Sequence, residues 1–216
     1  MKLHNNTIRG VHQALEAIFE EGHYADKVIE RTLKSNPKWG AKDRSFIAET
    51  TYEMVRWWRL VNFLSPSKDP WDLFGTYWLM QGQELPEWDE FARLQPEKIK
   101  SKYESITDPG LLESIPDWLQ TLGSKELGEK WEAEIHALNE EAEVVLRVNT
   151  LKTTRERLKN LLQADGIGTY LVKGYPDALV LDARQNVFRH PSFKDGLFEV
   201  QDASSQLVAA ALQVEP

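Results

Sequence analysis

The chain has 216 residues, 41% of them hydrophobic and 28% charged, with a net charge of −8 and no cysteine. That length allows one large domain or two small ones with a real core, the eight tryptophans exclude general disorder, and disulfides, thiolate metal sites and cysteine nucleophiles are excluded within these residues. No apolar run reaches the roughly 18 residues of a membrane span, and Met1-Lys2-Leu3-His4-Asn5-Asn6 lacks an apolar signal core, so a cytoplasmic protein is expected. Ile8, Val11, Leu15, Ile18 and Phe19 fall on one face of a first helix, which Asn6 or Thr7 can cap and Gly22 can end. Val28, Ile29 and Leu33 mark a second helix before Asn36-Pro37. A single third helix is predicted from about Asp43 to Leu64, on a stripe of Phe46, Ile47, Met54, Val55, Trp58 and Val61. Three amphipathic helices with short links predict a helical bundle.

Ser65-Pro66-Ser67 and Asp69-Pro70 are breakers. Trp71, Leu73, Phe74, Tyr77, Trp78 and Leu79 then form an aromatic-rich helix destined for the core. Pro116-Asp117-Trp118-Leu119 has proline in a first helical turn, and Trp131, Ile135 and Leu138 give one more helical face. Residues 65–142 therefore read as further helices, continuous with the bundle.

At Glu143 the period changes. Val144–Val148 is a β-branched run that predicts a strand. Thr153-Thr154-Arg155-Glu156 has the spacing of a capping box, opening a helix with Leu158, Leu161 and Leu162 that ends near Asp165-Gly166. Short strands are predicted at Thr169–Val172, Ala178–Leu181 and Leu197–Val200, and Asp202 can cap a last helix, Ala203–Leu212. A strand, a helix and further strands in so short a span make a small α/β domain, ferredoxin-like or RRM-like. The final strand and helix look like the opening of another α/β unit, which stops at Val214-Glu215-Pro216 with nothing to pair with. The fold class expected is mixed, with boundaries at 1–142, 143–200 and 201–216.

Chemistry-bearing patterns are sparse. His4, His12, His23, His136 and His190 show no i, i+4 pairing and no HExxH, so no metal site is expected. Neither G-x-G-x-x-G nor a P-loop occurs. Charge is the strongest signal. Residues 27–68 carry nine basic and four acidic side chains, whereas residues 69–143 carry six and eighteen. Lys27, Arg31 and Lys34 share one helix face, Lys38 and Lys42 follow, and Arg44, Arg56 and Arg59 complete the set. Two readings compete: a phosphate-contacting patch, or ordinary solubilising charge. Arg44 stands at a helix N-terminus, where the dipole disfavours it, so it should have a specific partner. Trp57 and Trp58 cannot both face the core of one straight helix; Trp58 fits the stripe, and Trp57 stacks on another element or on a base. Arg147 and Asn149 alternate with apolar neighbours along a strand, either presenting polar groups to RNA or forming a hydrogen-bond bracket between domains.

Two segments resemble a known family. Arg147-Val148-Asn149-Thr150-Leu151-Lys152, followed by a helix and Gly166-Ile167, resembles the segment that opens the catalytic half of bacterial RNA (cytosine-5)-methyltransferases of the Sun, or 16S ribosomal RNA methyltransferase B, group. Gly196-Leu197-Phe198-Glu199-Val200-Gln201-Asp202-Ala203-Ser204-Ser205-Gln206-Leu207-Val208 is similar to the segment before their cofactor-binding sheet. Tyr24-Ala25-Asp26, Asp43-Arg44, Tyr52 and Arg56 more loosely resemble the family's NusB-like RNA-binding bundle; Glu53 stands where the family often has glycine.

The resemblance implies a NusB-like all-α bundle, an RRM-like α/β domain and the first helix of an α/β methyltransferase domain. It implies S-adenosylmethionine as cofactor of a longer protein, with a cysteine nucleophile and a glycine-rich loop beyond Pro216 and no cofactor bound by this chain alone. It implies RNA, ribosomal in kind, as partner; separately, no DNA or membrane partner is expected, and the oligomeric state is open, a monomer being the expectation. By the same resemblance Gln201, Asp202, Ser204 and Ser205 lie beside the cofactor pocket, and Lys152 joins Arg147 and Asn149 as an RNA contact; local helix capping is the competing reading for residues 201–205. The alternative function is a stand-alone NusB-like helical RNA- or protein-binding module without enzymatic activity.

Overall fold

A computed structural model describes residues 3–212, and the elements and contacts described are those of these residues; the segment ending at Pro216 lies outside them. The chain divides into two compact units, one running to Asn139 and one from Glu140.

The first unit is helical: α1 Asn5–Phe19, α2 Ala25–Ser35, α3 Ala41–Arg56, α4 Trp58–Leu64, α5 Pro70–Met80, α6 Pro96–Glu104, α7 Pro109–Leu112, α8 Asp117–Leu127 and α9 Trp131–Asn139. The stripes seen in the sequence are its core: Ile8, Val11, Ile47, Met54, Val61 and Phe74 are fully buried in one cluster. Neither Asn6 nor Thr7 caps α1. His4 is the N-cap, and the Thr7 hydroxyl donates to the His4 carbonyl from inside the helix. Nor is Asp43–Leu64 one helix. The chain breaks at Trp57 (φ −93°, ψ 15°). On a straight helix, neighbours diverge by about 100°, so one of two adjacent tryptophans would face solvent. The break lets both pack against the core, with Trp58 stacked on Phe19 at a centroid separation of 4.0 Å. Ser114, held at φ 57°, accepts from the Leu60 N–H at 3.3 Å and so satisfies one donor in the first turn of α4.

Helix α5 starts as its sequence demands. Asp69 accepts from the Trp71 N–H at 2.9 Å and Pro70 occupies the first turn. Its Phe74 lies between Trp78 and Phe91, offset-stacked at 5.8 and 6.2 Å. His12 meets Trp71 edge-on at 4.8 Å, and its Nε2 is buried without a hydrogen-bond partner. Burial drives its pKa down to about 4, and Arg9 adds to this while Asp69 opposes it. The imidazole is thus neutral when folded and titrates near its ordinary value when unfolded. The unfolded chain binds the extra proton between about pH 6.5 and 4, so unit 1 should lose up to about 3 kcal/mol as pH falls through that window. Urea midpoints by tryptophan emission at pH 7 and 4.5 check this; His12→Leu should abolish the part of the pH dependence due to this residue.

The second unit contains β1 Val145–Val148, α10 Arg155–Ala164, β2 Thr169–Tyr170, β3 Ala178–Leu181, α11 Pro191–Lys194, β4 Phe198–Val200 and α12 Ala203–Ala211. The four strands form an antiparallel sheet in the order β2-β3-β1-β4. That order, with βαββαβ succession, is the ferredoxin-like arrangement. Leu146, Val148, Leu179, Leu181 and Phe198 form one apolar face beneath Leu158 and Leu162 of α10. The capping box does not close as spaced. Thr154, not Thr153, is the N-cap, accepting from Arg157 N–H at 3.2 Å, and the Glu156 carboxylate lies 3.9 Å from Arg155 Nε rather than reaching back.

Candidate nucleic-acid interface

The eight cations singled out in the first unit separate into two kinds. Arg44 donates from Nε to the Trp39 carbonyl at 3.0 Å and from a terminal nitrogen to the Leu33 carbonyl at 2.5 Å. Leu33 lies in the last turn of α2, whose carbonyls have no partners along the helix. A cation badly placed for the dipole of α3 is therefore well placed for that of α2. Arg56 donates to the Asn139 carbonyl at 3.3 Å, beside a network in which the Asn139 amide donates to Glu113 at 2.8 Å. Arg59 donates to the Ile115 carbonyl and the Asp117 carboxylate. These three arginines hold the bundle together. Arg44→Ala should lower the stability of unit 1 by about 2–3 kcal/mol, since two carbonyls lose a charged donor, while the salt dependence of any RNA binding stays unchanged; a urea melt and a salt titration check both halves.

Lys27, Arg31 and Lys34 are exposed on α2, Lys38 on the segment leading into α3, and Lys42 in the first turn of α3. Lys34 pairs with Glu30 at 2.6 Å and Lys27 with Asp26 at 3.7 Å. The hydrogen bond from Lys34, and then its charge, hold the Glu30 carboxyl below the usual range. Such exposed pairs contribute little, so a phosphate can displace them. Arg31 makes no ion pair among the described residues. The face can accept anions, with the carboxylates of Asp26 and Glu30 interspersed.

In the second unit Arg147 is exposed, in register with Ala178 on one side and Glu199 on the other. The same sheet face carries Val145, Ala178 and Val180, buried under Val172, Tyr175 and Ala203. It is thus not an open platform. Asn149 donates to the Gly196 carbonyl at 2.9 Å and accepts from the Leu151 N–H at 3.2 Å, and Lys152 donates to the Asp195 carbonyl at 2.8 Å. Asn149 forms a bracket, and the bracket lies within this unit. Arg155 and Lys173, not singled out in the sequence, line one groove on this unit. Arg155 offered the same clue as Arg44, a cation in the first turn of a helix.

Of the residues placed beside a cofactor, Asp202 accepts from the Ser205 N–H at 3.1 Å and so caps α12. Ser204 and Ser205 are exposed, and Gln201 pairs its N–H with the Val145 carbonyl. Two hydroxyls and a capping carboxylate at one helix start, with no glycine-rich loop, do not make a cradle for S-adenosylmethionine. Among the described residues no three His, Asp or Glu side chains gather as a metal site, and no helix is long and apolar enough to cross a membrane.

The family model described as a methyltransferase RsmF/B-like ferredoxin-like domain matches residues 115–188. A probable ribosomal RNA small subunit methyltransferase B of Synechocystis is 28% identical over 94% of this chain. The chain resembles the ribosomal RNA small subunit methyltransferase B family. The Citrobacter koseri and Escherichia coli proteins of that name are 37% and 36% identical over 91 residues, in each case 42% of this chain and 21% of theirs. The chain spans about half (54%) of the Synechocystis methyltransferase B. The crystal structure of PH0851 shares the fold, with a TM-score of 0.62 at 16% identity, over all of this chain and 57% of that one.

Proposed function

We infer that these residues are the RNA-recognition portion of an S-adenosylmethionine-dependent ribosomal RNA (cytosine-5)-methyltransferase of the cytoplasm. The reading rests on the similarity of nearly the whole chain to a methyltransferase B relative. Within it the helical unit is a NusB-like RNA-binding bundle and the sheet unit an RRM-like domain in ferredoxin topology. Exposed cations on α2 contact phosphates, and Arg147 adds a contact from the sheet. The chemistry of methyl transfer belongs to residues other than these, since the chain has neither a cysteine to attack the base nor a glycine-rich loop.

Two titrations test this. A small-subunit ribosomal RNA helix should bind the chain at physiological salt with a Kd on the order of 10⁻⁴ to 10⁻⁶ M, as expected for a few phosphate contacts without base readout. Calorimetry with S-adenosylmethionine should show no binding. A micromolar cofactor constant, or no RNA binding at millimolar protein, would each contradict the reading.

A further inference from the structure

The groove of about 480 Å³ on the second unit differs in kind from the basic face of α2. Its lining holds two cations, Arg155 and Lys173, and no carboxylate; the Glu156 carboxylate stands 3.9 Å from Arg155 Nε. One arm of the Arg155 guanidinium donates to the Tyr175 carbonyl at 3.2 Å and fixes the side chain against the turn Val172–Tyr175. The Arg155 Nε is buried and has no hydrogen-bond acceptor. A buried donor without a partner is costly.

The turn itself faces outward. Tyr175 N–H returns to the Val172 carbonyl at 3.4 Å, while Lys173 and Gly174 N–H meet no acceptor among the described residues. Gly174 adopts φ 92°, and a Cβ there would meet nothing within 4 Å, so the backbone is open to close approach. Tyr175 packs on Val145, Ala178 and Val180, and exposed Arg147 pairs in register with Ala178 of that strand.

We propose that Arg155, Lys173 and the Lys173–Gly174 backbone form a phosphate-binding notch that seats the RNA backbone on the ferredoxin-like unit. This rests on the RNA-recognition reading and gives it a second point of attachment, apart from α2. Two cations and two unpaired backbone N–H groups along one groove, with the exposed Glu156 carboxylate outside the lining, suit a phosphodiester oxygen, and the fixed guanidinium adds directional hydrogen bonds to the charge of Lys173.

The test uses the full chain in two arms. In the first, inorganic phosphate is titrated while backbone amide resonances are followed; Lys173 and Gly174 should shift and saturate. In the second, Lys173→Glu is titrated with a ribosomal RNA helix at several salt concentrations. The side chain is exposed on a turn, so the fold is retained. Loss of one phosphate contact should make log K against log salt shallower by about 0.7–0.9 and weaken binding about five-fold or more at physiological salt. If RNA binds Lys173→Glu as tightly and as steeply as the parent, and the two amides stay still, the notch is overturned while the RNA reading stands. If phosphate shifts the amides but the parent binds no RNA, the RNA reading fails and the site is one for free phosphate. If neither ligand acts, both fall.

Discussion

Replacing Phe74 by alanine should cost unit 1 about 4 kcal/mol. The ring is fully buried, stacked against Trp78 and Phe91 and met edge-on by Phe46 at 6.4 Å. Phe→Ala in a packed core removes the transfer free energy of the ring and leaves a cavity, typically 3–5 kcal/mol together. That is a large fraction of the stability of a domain this size. The measurement is simple because all eight tryptophans lie in unit 1. Tryptophan emission during urea unfolding thus follows that unit alone. Phe74→Ala should move the emission midpoint far toward low urea. Phe198→Ala, which empties a fully buried position in the other core, should leave that midpoint in place. An unmoved midpoint in Phe74→Ala would mean that the aromatic cluster is not the core of the bundle.

What the sequence revealed and concealed follows the range of the interactions. The buried stripes of α1 and α3 were legible because helical period and burial coincide. The switch from helices to strands near Glu143 was legible in the β-branched run. The break at Trp57 was not, because its cause is the need of two adjacent rings for cover from elements distant in sequence. The shift of the cap from Thr153 to Thr154 is one residue, and spacing alone does not separate two neighbouring threonines. At the candidate interface the sequence put Lys27, Arg31 and Lys34 on one face, which α2 does. It grouped Arg44, Arg56 and Arg59 with them because charge counts do not reveal that a guanidinium is turned onto a carbonyl. The dipole argument at Arg44 did reveal it, and the same argument applied to Arg155 would have pointed to the groove beside Lys173.

The largest expected effect on binding comes from reversing the α2 face. The triple variant Lys27→Glu, Arg31→Glu, Lys34→Glu should bind a ribosomal RNA helix about a hundred-fold more weakly, as three phosphate contacts are lost together. Its fold should survive. The pairs Lys27–Asp26 and Lys34–Glu30 are exposed and contribute at most about 1 kcal/mol each, and new like-charge pairs along the helix cost a few tenths more. Tryptophan emission should therefore unfold close to the parent midpoint. The acidic residues 69–143 belong largely to the same unit. Acidic side chains farther than a screening length of about 8–10 Å from the α2 face act weakly on a phosphate bound there.

The most direct test of RNA recognition by phosphate contacts is the slope of log K against log salt for the parent chain on a small-subunit ribosomal RNA helix. Three or four contacts should give a slope between about −2 and −4, and the loss of three of them should make it shallower by about 2 to 3 in the triple variant. A parent slope near zero, or a triple variant with the parent's slope and affinity, would contradict it and leave the cations of α2 as solubilising charge.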